Sequence, residues 1–327
     1  MRASFFSLCL FLTLLVVTIG DLVFIGPGFG DSSLSVELID FSTDSPVSCD
    51  LPRYPLYNDD PVYHIVGGVE GAVINDKVTL CGGWYPAYYS QVTDACYQYN
   101  PVTNIWEGFP HMLAERSEAR SITLPDGRWW MIAGDSFLVD DPRVTTTEIL
   151  EEGSWVPGPI LPGNWNHGCA AQLGESVTLL AGGRWDHEIS NKTWLYRWDT
   201  GVFEEVMGLA HPKINLDCVA LDDRNVMVTG GFTYADGPFN FVEIFNLDTR
   251  TWTKVDPMPE PIHNHRMVKE NDDVLVLGGT SPGWDETGPG QIFRYNKDQG
   301  WTVDQKQTQF KTYKFSALVV TRDMLGC

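Results

Sequence analysis

The sequence predicts an all-β fold, a six-bladed β-propeller whose last blade is closed by the N- and C-terminal strands. A glycine pair or its relic begins at residues 82, 134, 182, 230 and 278, so the repeat is close to fifty residues long. Each pair ends a run of aliphatic or β-branched residues, and a large aromatic residue follows roughly twenty-four positions later. Four short strand signals in a period of about fifty residues are typical of one propeller blade.

The glycines and aromatics of each repeat have separate physical roles. A glycine allows positive φ at a strand end, and its missing side chain lets a neighbouring blade approach. The late aromatics are large flat groups that suit the space between blades. They are Trp106, Trp155, Phe203, Trp252 and Trp301, and an earlier aromatic precedes four of them at Tyr99, Tyr196, Phe245 and Tyr295, whereas the second repeat has Ile149 or Leu150 there.

A double glycine followed by an aromatic and a tryptophan at this spacing resembles the Kelch repeat. The glycine positions are Gly82-Gly83, Gly134-Asp135, Gly182-Gly183, Gly230-Gly231 and Gly278-Gly279. The resemblance covers nearly all of the chain after residue 20. It divides residues 21–327 into Kelch blades at about 63–112, 113–162, 163–212, 213–261 and 262–310, with a shared blade from 21–62 and 311–327.

The shared blade is predicted from two strand-like fragments at the chain ends. Residues 21–30, 34–41 and 47–51 supply its second, third and fourth strands, and residues 313–320 supply its first. Joining them closes the ring and removes open sheet edges. Five blades with disordered ends are the alternative, which the strand-like character of both fragments disfavours.

The first twenty residues have the order of a secretory signal peptide. Arg2 is followed by an apolar run over residues 5–17 and by Thr18-Ile19-Gly20, small residues suited to cleavage. The apolar run is short for a membrane span, although an uncleaved anchor remains the alternative. We therefore expect a secreted protein that begins near Asp21, with no membrane contact after cleavage.

Secretion makes the remaining cysteines candidates for disulfides. Cys9 leaves with the signal peptide, so six cysteines remain, an even number in an oxidising compartment. The blade register suggests three pairs, although six cysteines allow many connectivities. The pairs are Cys81 with Cys96, Cys169 with Cys218, and Cys49 with Cys327.

The charge of the chain bears on its partners. The net charge is −21, and −22 once Arg2 is removed with the signal. Such an acidic surface repels the phosphates of nucleic acids and the head groups of anionic lipids. We therefore expect a cationic or carbohydrate partner. The charge gives no prediction of the oligomeric state.

Aromatics cluster in the loops that follow the glycine pairs. Because connections in an antiparallel blade alternate between its two faces, these loops open on one face of the ring. Aromatics with an arginine are typical of binding hot spots and of sugar-stacking platforms. The candidate binding residues are Trp84, Tyr88, Arg184, Trp185, Tyr234 and Trp284. The alternative is that several of them fold inward and cover the blade tops.

Two further motifs are weaker. His64, His167 and His265 align at the start of first strands and could converge on a metal, but no fourth ligand is placed by the spacing, so no metal or cofactor is predicted. The sequon Asn191-Lys192-Thr193 predicts glycosylation at Asn191.

These observations favour an extracellular binding scaffold whose loop face engages a protein or a glycan. The alternative is a sugar-acting enzyme, because some six-bladed Kelch proteins resemble mutarotases and copper oxidases also use Kelch blades. An enzyme would bring carboxylates or histidines together in the central funnel. The loop-face candidates are mostly aromatic, so no catalytic residue is predicted.

Overall fold

The fold is described here from a computed structural model that covers residues 22–30, 35–45, 47–55, 66–85, 91–136, 145–281, 290–309 and 311–327. Within these residues the chain forms five four-stranded antiparallel sheets, two three-stranded sheets and three two-stranded ribbons. The predicted all-β class is confirmed. The predicted signal peptide lies outside the described residues.

Each four-stranded sheet takes consecutive strands in order from the inside of the ring outward. Blade 1 contains Glu70–Ile74, Lys77–Cys81, Cys96–Asn100 and Ile105–Phe109. Blade 2 contains Arg120–Thr123, Trp129–Ile132, Thr147–Glu151 and Ser154–Pro157. Blade 3 contains Cys169–Leu173, Val177–Ala181, Thr193–Arg197 and Val202–Val206. Blade 4 contains Asp217–Ala220, Asn225–Thr229, Val242–Asn246 and Thr251–Val255. Blade 5 contains Arg266–Glu270, Asp273–Leu277, Gly290–Asn296 and Gly300–Thr308.

Strands from the two ends of the chain pair in one three-stranded sheet, which we call the shared blade. Ala317–Val320 pairs with Leu22–Ile25, which pairs in turn with Glu37–Asp40. A short ribbon also joins Phe29–Gly30 to Thr312–Tyr313. The predicted single strand over 313–320 is therefore divided, because Lys314 adopts a left-handed conformation with φ of 55°.

The expected fourth strand at residues 47–51 is wrong. This segment has no strand structure and instead packs against blade 1, where Tyr54 contacts the ring of Trp106 at 5.4 Å. The carbonyl oxygen of Pro52 accepts a hydrogen bond from the Trp106 indole. Pro52 has no N–H to give to a sheet, and the Cys49–Cys327 disulfide holds the segment on the chain terminus.

The first strands of neighbouring sheets touch one another in a closed cycle through blades 1 to 5 and the shared blade. They line a central channel. At one end of this channel six residues with φ between 52° and 69° form what we call the collar: Gly68, Glu118, His167, Asn215, Asn264 and Lys314. Among them, five main-chain hydrogen bonds of 2.7–3.2 Å link residues of adjacent blades.

Aromatic side chains fill the boundaries between blades. The late aromatic of each repeat is paired in register with the earlier residue, for example Phe245 with Trp252 at 5.2 Å between ring centroids. In the second repeat the partner is Leu150. The indole of Trp155 donates to the carbonyl oxygen of Pro110 in the preceding blade, and that of Trp301 donates likewise to Asp256. The tryptophans thus join adjacent blades as well as filling them.

The glycine pairs stand where a neighbouring blade approaches. A Cβ atom on Gly82 would lie 2.4 Å from the carbonyl oxygen of Arg116 in blade 2, closer than real Cβ atoms come. The second repeat departs from the predicted alignment of Gly134-Asp135. Ala133 and Gly134 have the positive φ values of the pair there, 51° and 116°, so alanine replaces the first glycine.

Three cysteine pairs lie at disulfide distance, and they are the pairs that the blade register suggests. Cys81 and Cys96 are direct partners on neighbouring strands of blade 1. Cys169 and Cys218 join the first strands of blades 3 and 4. Cys49 and Cys327 connect the two ends of the chain.

One short helix, Arg322–Leu325, ends the chain, with Thr321 as N-cap and Gly326 as left-handed C-cap. No helix in the described residues is long and apolar enough to cross a membrane.

The shared blade generates a first prediction. Deleting residues 312–327 removes the innermost strand of this sheet and exposes the edge of Leu22–Ile25, so we expect the chain to lose its cooperative thermal transition. As a control, the double substitution Cys49→Ser/Cys327→Ser keeps every strand and should lower stability by about 5 kcal/mol in the chain-entropy estimate. A truncated chain that melts as the intact one does would contradict the closure.

The collar generates a second prediction. Asn215 has φ of 56°, a conformation that costs an L-residue roughly 1–2 kcal/mol and is worse for β-branched side chains. We expect Asn215→Val to lower the free energy of unfolding by at least about 1 kcal/mol, and Asn215→Gly to stay within about 1 kcal/mol of the wild type. Thr253→Val, at an exposed strand position, is the matched control and should be neutral. Equal stabilities of the two Asn215 variants would contradict the strain.

Candidate functional site

The collar and the loops after the second strands lie on the same end of the ring, which we call the loop face. In each blade the residue just before the collar pairs with the residue that follows the glycine pair. Examples are Gly67 with Trp84, Ile214 with Phe232 and His263 with Thr280. This repeated pairing fixes the bases of the loops, so the loop face has a rigid inner rim.

An aromatic cluster occupies the loop face over blades 3 to 5. Arg184 donates a hydrogen bond of 2.7 Å to the hydroxyl of Tyr234, and its guanidinium lies 5.6 Å from the centre of that ring. Tyr234 meets Phe232 edge-on at 5.5 Å, and Phe232 stacks on His263 at 4.9 Å. We call these four residues the loop-face cluster. Tyr234 is nevertheless 72% exposed.

A cavity of about 550 Å³ adjoins this cluster between blades 3 and 4, and we call it the groove. Phe239 and Phe241 stack on each other at 5.0 Å with an interplanar angle of 14°. The imidazole of His211 lies 5.2 Å from Phe241. Tyr234 forms another wall, and Ile189 and Pro212 complete an apolar lining.

The predicted binding residues have different fates. Tyr234 is exposed, and Arg184 and Trp84 are half-buried. Trp185 is only 5% exposed and packs between Trp165 and Trp194, at 5.9 and 5.8 Å, so it folds inward into the core and is not a binding residue of the loop face. Tyr88 and Trp284 lie outside the described residues.

The predicted alignment of three histidines is wrong. His167 is a collar residue, whereas the collar position of blade 5 is Asn264 and His265 comes one residue later. His265 is buried and shares a hydrogen bond of 2.8 Å with the hydroxyl of Thr229. His64 lies outside the described residues. Within the described ranges no three His, Cys, Asp or Glu side chains are grouped as metal ligands.

The channel holds an ionic network that the repeat pattern does not reveal. Glu70 accepts hydrogen bonds from Arg266 and, at 3.1 Å, from Ser121, and it faces Arg120 at 3.4 Å. Asp217 accepts a hydrogen bond of 2.7 Å from the main-chain N–H of Met267. Burial lowers the pKa of Arg266, but Glu70 and Asp217 outweigh this and leave it above its usual value.

These side chains line a cavity of about 250 Å³ formed by the first strands of the five four-stranded sheets and of the shared blade. Two carboxylates and two guanidinium groups give the network no net charge. Much of their hydrogen-bonding capacity is used internally, since Arg120 also donates to the carbonyl oxygen of Gly168 and Arg266 to that of Phe315. The charged side chains around this cavity are therefore held in place by their own hydrogen bonds.

Charged side chains of the collar continue the network toward the loop face. Lys314 lies 2.9 Å from Glu118, and His167 lies 2.8 Å from Asp135. Burial raises the pKa of Glu118, but the effects of nearby cations, chiefly Lys314 and His167, are together larger in the opposite direction. The pKa of Glu118 is therefore below its usual value. Asn166 also donates to Asp135 at 2.5 Å. An enzyme on this scaffold would draw on these groups.

Two buried ion pairs were also missed from the sequence. Arg116 pairs with Glu148 in blade 2, and Lys213 pairs with Glu243 in blade 4, each fully buried. Glu148 also accepts main-chain N–H groups of the loop that enters its blade. The signal that could have found them is a cation four residues before a first strand, combined with a glutamate as the second residue of the third strand.

Asn191 of the sequon has a structural role. Its amide donates a hydrogen bond of 2.8 Å to the carbonyl oxygen of Leu209, and Asn240 makes the same bond to Met258 one blade later. The hydroxyl of Thr193 accepts a hydrogen bond from the indole N–H of Trp252. Glycosylation of Asn191 stays a prediction.

Comparisons with known proteins agree with this architecture. The Kelch-like protein terF of Aspergillus terreus (strain NIH 2624 / FGSC A1156) is 26% identical over 137 residues, 39% of this chain. Kelch-like protein 38 of Mus musculus is 29% identical over 113 residues, 33% of this chain. The solved structure of YjhT superimposes with a TM-score of 0.70 at 14% identity, covering 88% of this chain and 95% of that one. These likenesses support a Kelch-repeat family for this chain.

The matched segments span only 29% and 19% of the length of the two curated relatives. No protein-family model matches the chain. The likeness to YjhT shows the fold, and the relatives show the repeat from which it is built.

His265 generates a third prediction. Burial lowers its pKa from 6.5 to about 3, with smaller effects of His263 and nearby cations. Between these values the unfolded chain binds a proton that the folded chain does not, so stability falls as the pH falls from about 6.5. One proton corresponds to about 1.4 kcal/mol per pH unit.

The measurement is the free energy of unfolding between pH 6.5 and 4.5 for the wild type and for His265→Gln. We expect the variant to lose less stability per pH unit, because it cannot titrate. His187→Gln, at an exposed position, should keep the wild-type slope. The same slope in both variants would show that His265 is not the group responsible.

Proposed function

We propose that this Kelch propeller is an extracellular binding scaffold that engages a partner protein through the loop-face cluster. The observation that carries the proposal is Tyr234, a large aromatic side chain that is 72% exposed yet held in place by Arg184 and Phe232. Tyrosine and arginine are enriched among the residues that dominate binding energy.

The fixed geometry of the cluster supports binding. A side chain that is already ordered in the free protein loses little conformational entropy when a partner docks. Tyr234 is restrained by the hydrogen bond from Arg184 and by the contacts of its ring with Arg184 and Phe232. Phe232 is restrained further by His263, and the His263 ring shares a hydrogen bond of 2.8 Å with the hydroxyl of Thr280. The cluster therefore presents a pre-organised aromatic surface.

An extracellular location is part of the proposal. Three cysteine pairs at disulfide distance are compatible with an oxidising compartment. The order of charge, apolar run and small residues in the first twenty positions supports secretion.

A second candidate function, a sugar-acting enzyme, is favoured by one observation. Carboxylates and basic groups converge in the channel at Glu70, Asp217, Arg120 and Arg266, beside a cavity of about 250 Å³. Against it, these groups hydrogen-bond one another and nearby carbonyl oxygens.

A glycan remains the alternative partner for the loop face, because aromatic rings also stack on sugars.

The fourth prediction tests the cluster. Partners are captured from the extracellular medium by cross-linking to the wild type and to Tyr234→Ala, and the affinity of each identified protein is then measured. We expect Tyr234→Ala to weaken binding at least tenfold, or about 1.4 kcal/mol, without a change in melting temperature.

Two controls separate packing from binding. Val303→Ala, at an exposed position of blade 5, should leave both quantities unchanged. Trp155→Ala, at a core position that is 6% exposed, should cost roughly 3–5 kcal/mol of stability. Tyr234→Ala binding as the wild type does, or unfolding as Trp155→Ala does, would refute the cluster as the binding surface.

A further inference from the structure

The groove beside Tyr234 has unusually apolar walls for a solvent-facing surface. Phe239 and Phe241 are half-buried and stacked on each other, and His211 is exposed alongside them. Apolar surface that a folded domain leaves in a concave, polar-rimmed position commonly marks an interaction site. A cavity of about 550 Å³ has room for one large side chain of a partner and its flanking atoms.

The polar capacity of the groove is small. The hydroxyl of Thr233 already bonds the carboxylate of Asp236 at 3.0 Å and accepts the main-chain N–H of the same residue. The Tyr234 hydroxyl accepts from Arg184. A sugar brings many hydroxyl groups, and burying them without hydrogen-bond partners is costly. The lining therefore suits an apolar side chain better than a neutral sugar ring.

Positive charge borders the groove, against the overall balance of the chain. The chain has 22 Lys and Arg against 43 Asp and Glu, yet Arg184 adjoins one wall and Lys254 lies 5.8 Å from the ring of Phe241. One carboxylate, Asp236, stands at the lip. Lys213 below is neutralised by Glu243.

Distance decides which of these charges a ligand feels. The Debye length at physiological ionic strength is about 8 Å, so exposed charges farther away are largely screened. Two cations, Arg184 and Lys254, adjoin the groove, whereas Asp236 is the one carboxylate among its lining residues. A ligand in the groove therefore meets a locally positive field, although the whole protein is acidic.

We propose that the groove binds a peptide segment of the partner protein in which an aromatic or aliphatic side chain stands beside a carboxylate. The apolar side chain would fill the space between Tyr234 and Phe241, and the carboxylate would face Arg184 and Lys254. This inference rests on the proposed function and names the chemistry of its partner. It replaces the cationic partner that the net charge alone suggests.

Matched small probes test this chemistry. 3-Phenylpropionate, 3-phenylpropan-1-ol and 3-phenylpropylamine share one ring and one chain length and differ in charge. Dissociation constants are measured by ligand-observed NMR on the full chain at low and at high salt. We expect the anion to bind several-fold to tenfold more tightly than the amine at low salt, and this ratio to shrink at high salt.

Variants locate the binding. Phe241→Ala should weaken all three probes, because it removes a wall of the groove. Lys254→Gln should reduce the preference for the anion and leave the alcohol unchanged, whereas Lys297→Gln, at an exposed position of blade 5, should change nothing. Absence of binding, equal or tighter binding of the amine, or indifference to Phe241→Ala would each overturn the inference.

Two further arms separate the alternatives. Glucuronate carries a carboxylate without an apolar ring, so its displacement of 3-phenylpropionate at equal concentration would indicate an acidic glycan and overturn the peptide. If the probes show no charge preference while Tyr234→Ala still weakens the captured partner, this inference fails and the proposed function stands. The reverse pattern would remove the proposed function and leave an unassigned anion-selective groove.

Discussion

The ring depends on the collar, where main-chain hydrogen bonds cross from blade to blade beside the channel. Five main-chain hydrogen bonds join neighbouring collar residues, and all six residues adopt positive φ. Only Gly68 does so without steric cost, and the remaining members carry side chains. The main-chain hydrogen bonds between neighbouring blades offset this strain. The collar also places Glu118, His167 and Lys314 together at the channel entrance.

Different chemistry solves the same packing problem in different blades. In blades 2 and 4 a buried ion pair anchors the loop that enters the blade, Arg116 with Glu148 and Lys213 with Glu243. In blade 3 the tryptophans Trp165, Trp185 and Trp194 pack against one another with tilted rings at the corresponding place. A buried pair is no more stabilising than well-packed apolar groups of similar volume. The repeats have therefore diverged in chemistry while the backbone kept one geometry.

The fold could be predicted because its main signals are local and repeated. The glycine pairs are required because a neighbouring backbone approaches them closely, and the late aromatics fill a boundary that every blade has, so both recur in the sequence.

The ionic network in the channel could not be predicted in this way. Glu70, Arg120, Asp217 and Arg266 occur once each, on different blades, and only ring closure brings them together. The misalignment of His265 and the inward position of Trp185 are one-residue effects, because neighbouring residues of a ribbon point to opposite sides. Residues 47–51 have strand-like composition, but the disulfide of Cys49 and the proline at 52 direct them onto blade 1 instead.

The disulfide between Cys49 and Cys327 changes the topology of the polypeptide itself. It joins positions 278 residues apart and turns nearly the whole propeller into one covalent circle. A single peptide-bond cleavage inside a circle opens it without releasing a fragment. Proteases that act on the loops of this protein would therefore leave a nicked molecule of unchanged mass apart from one added water, and the blades on both sides of the cut would remain tethered and able to stay packed.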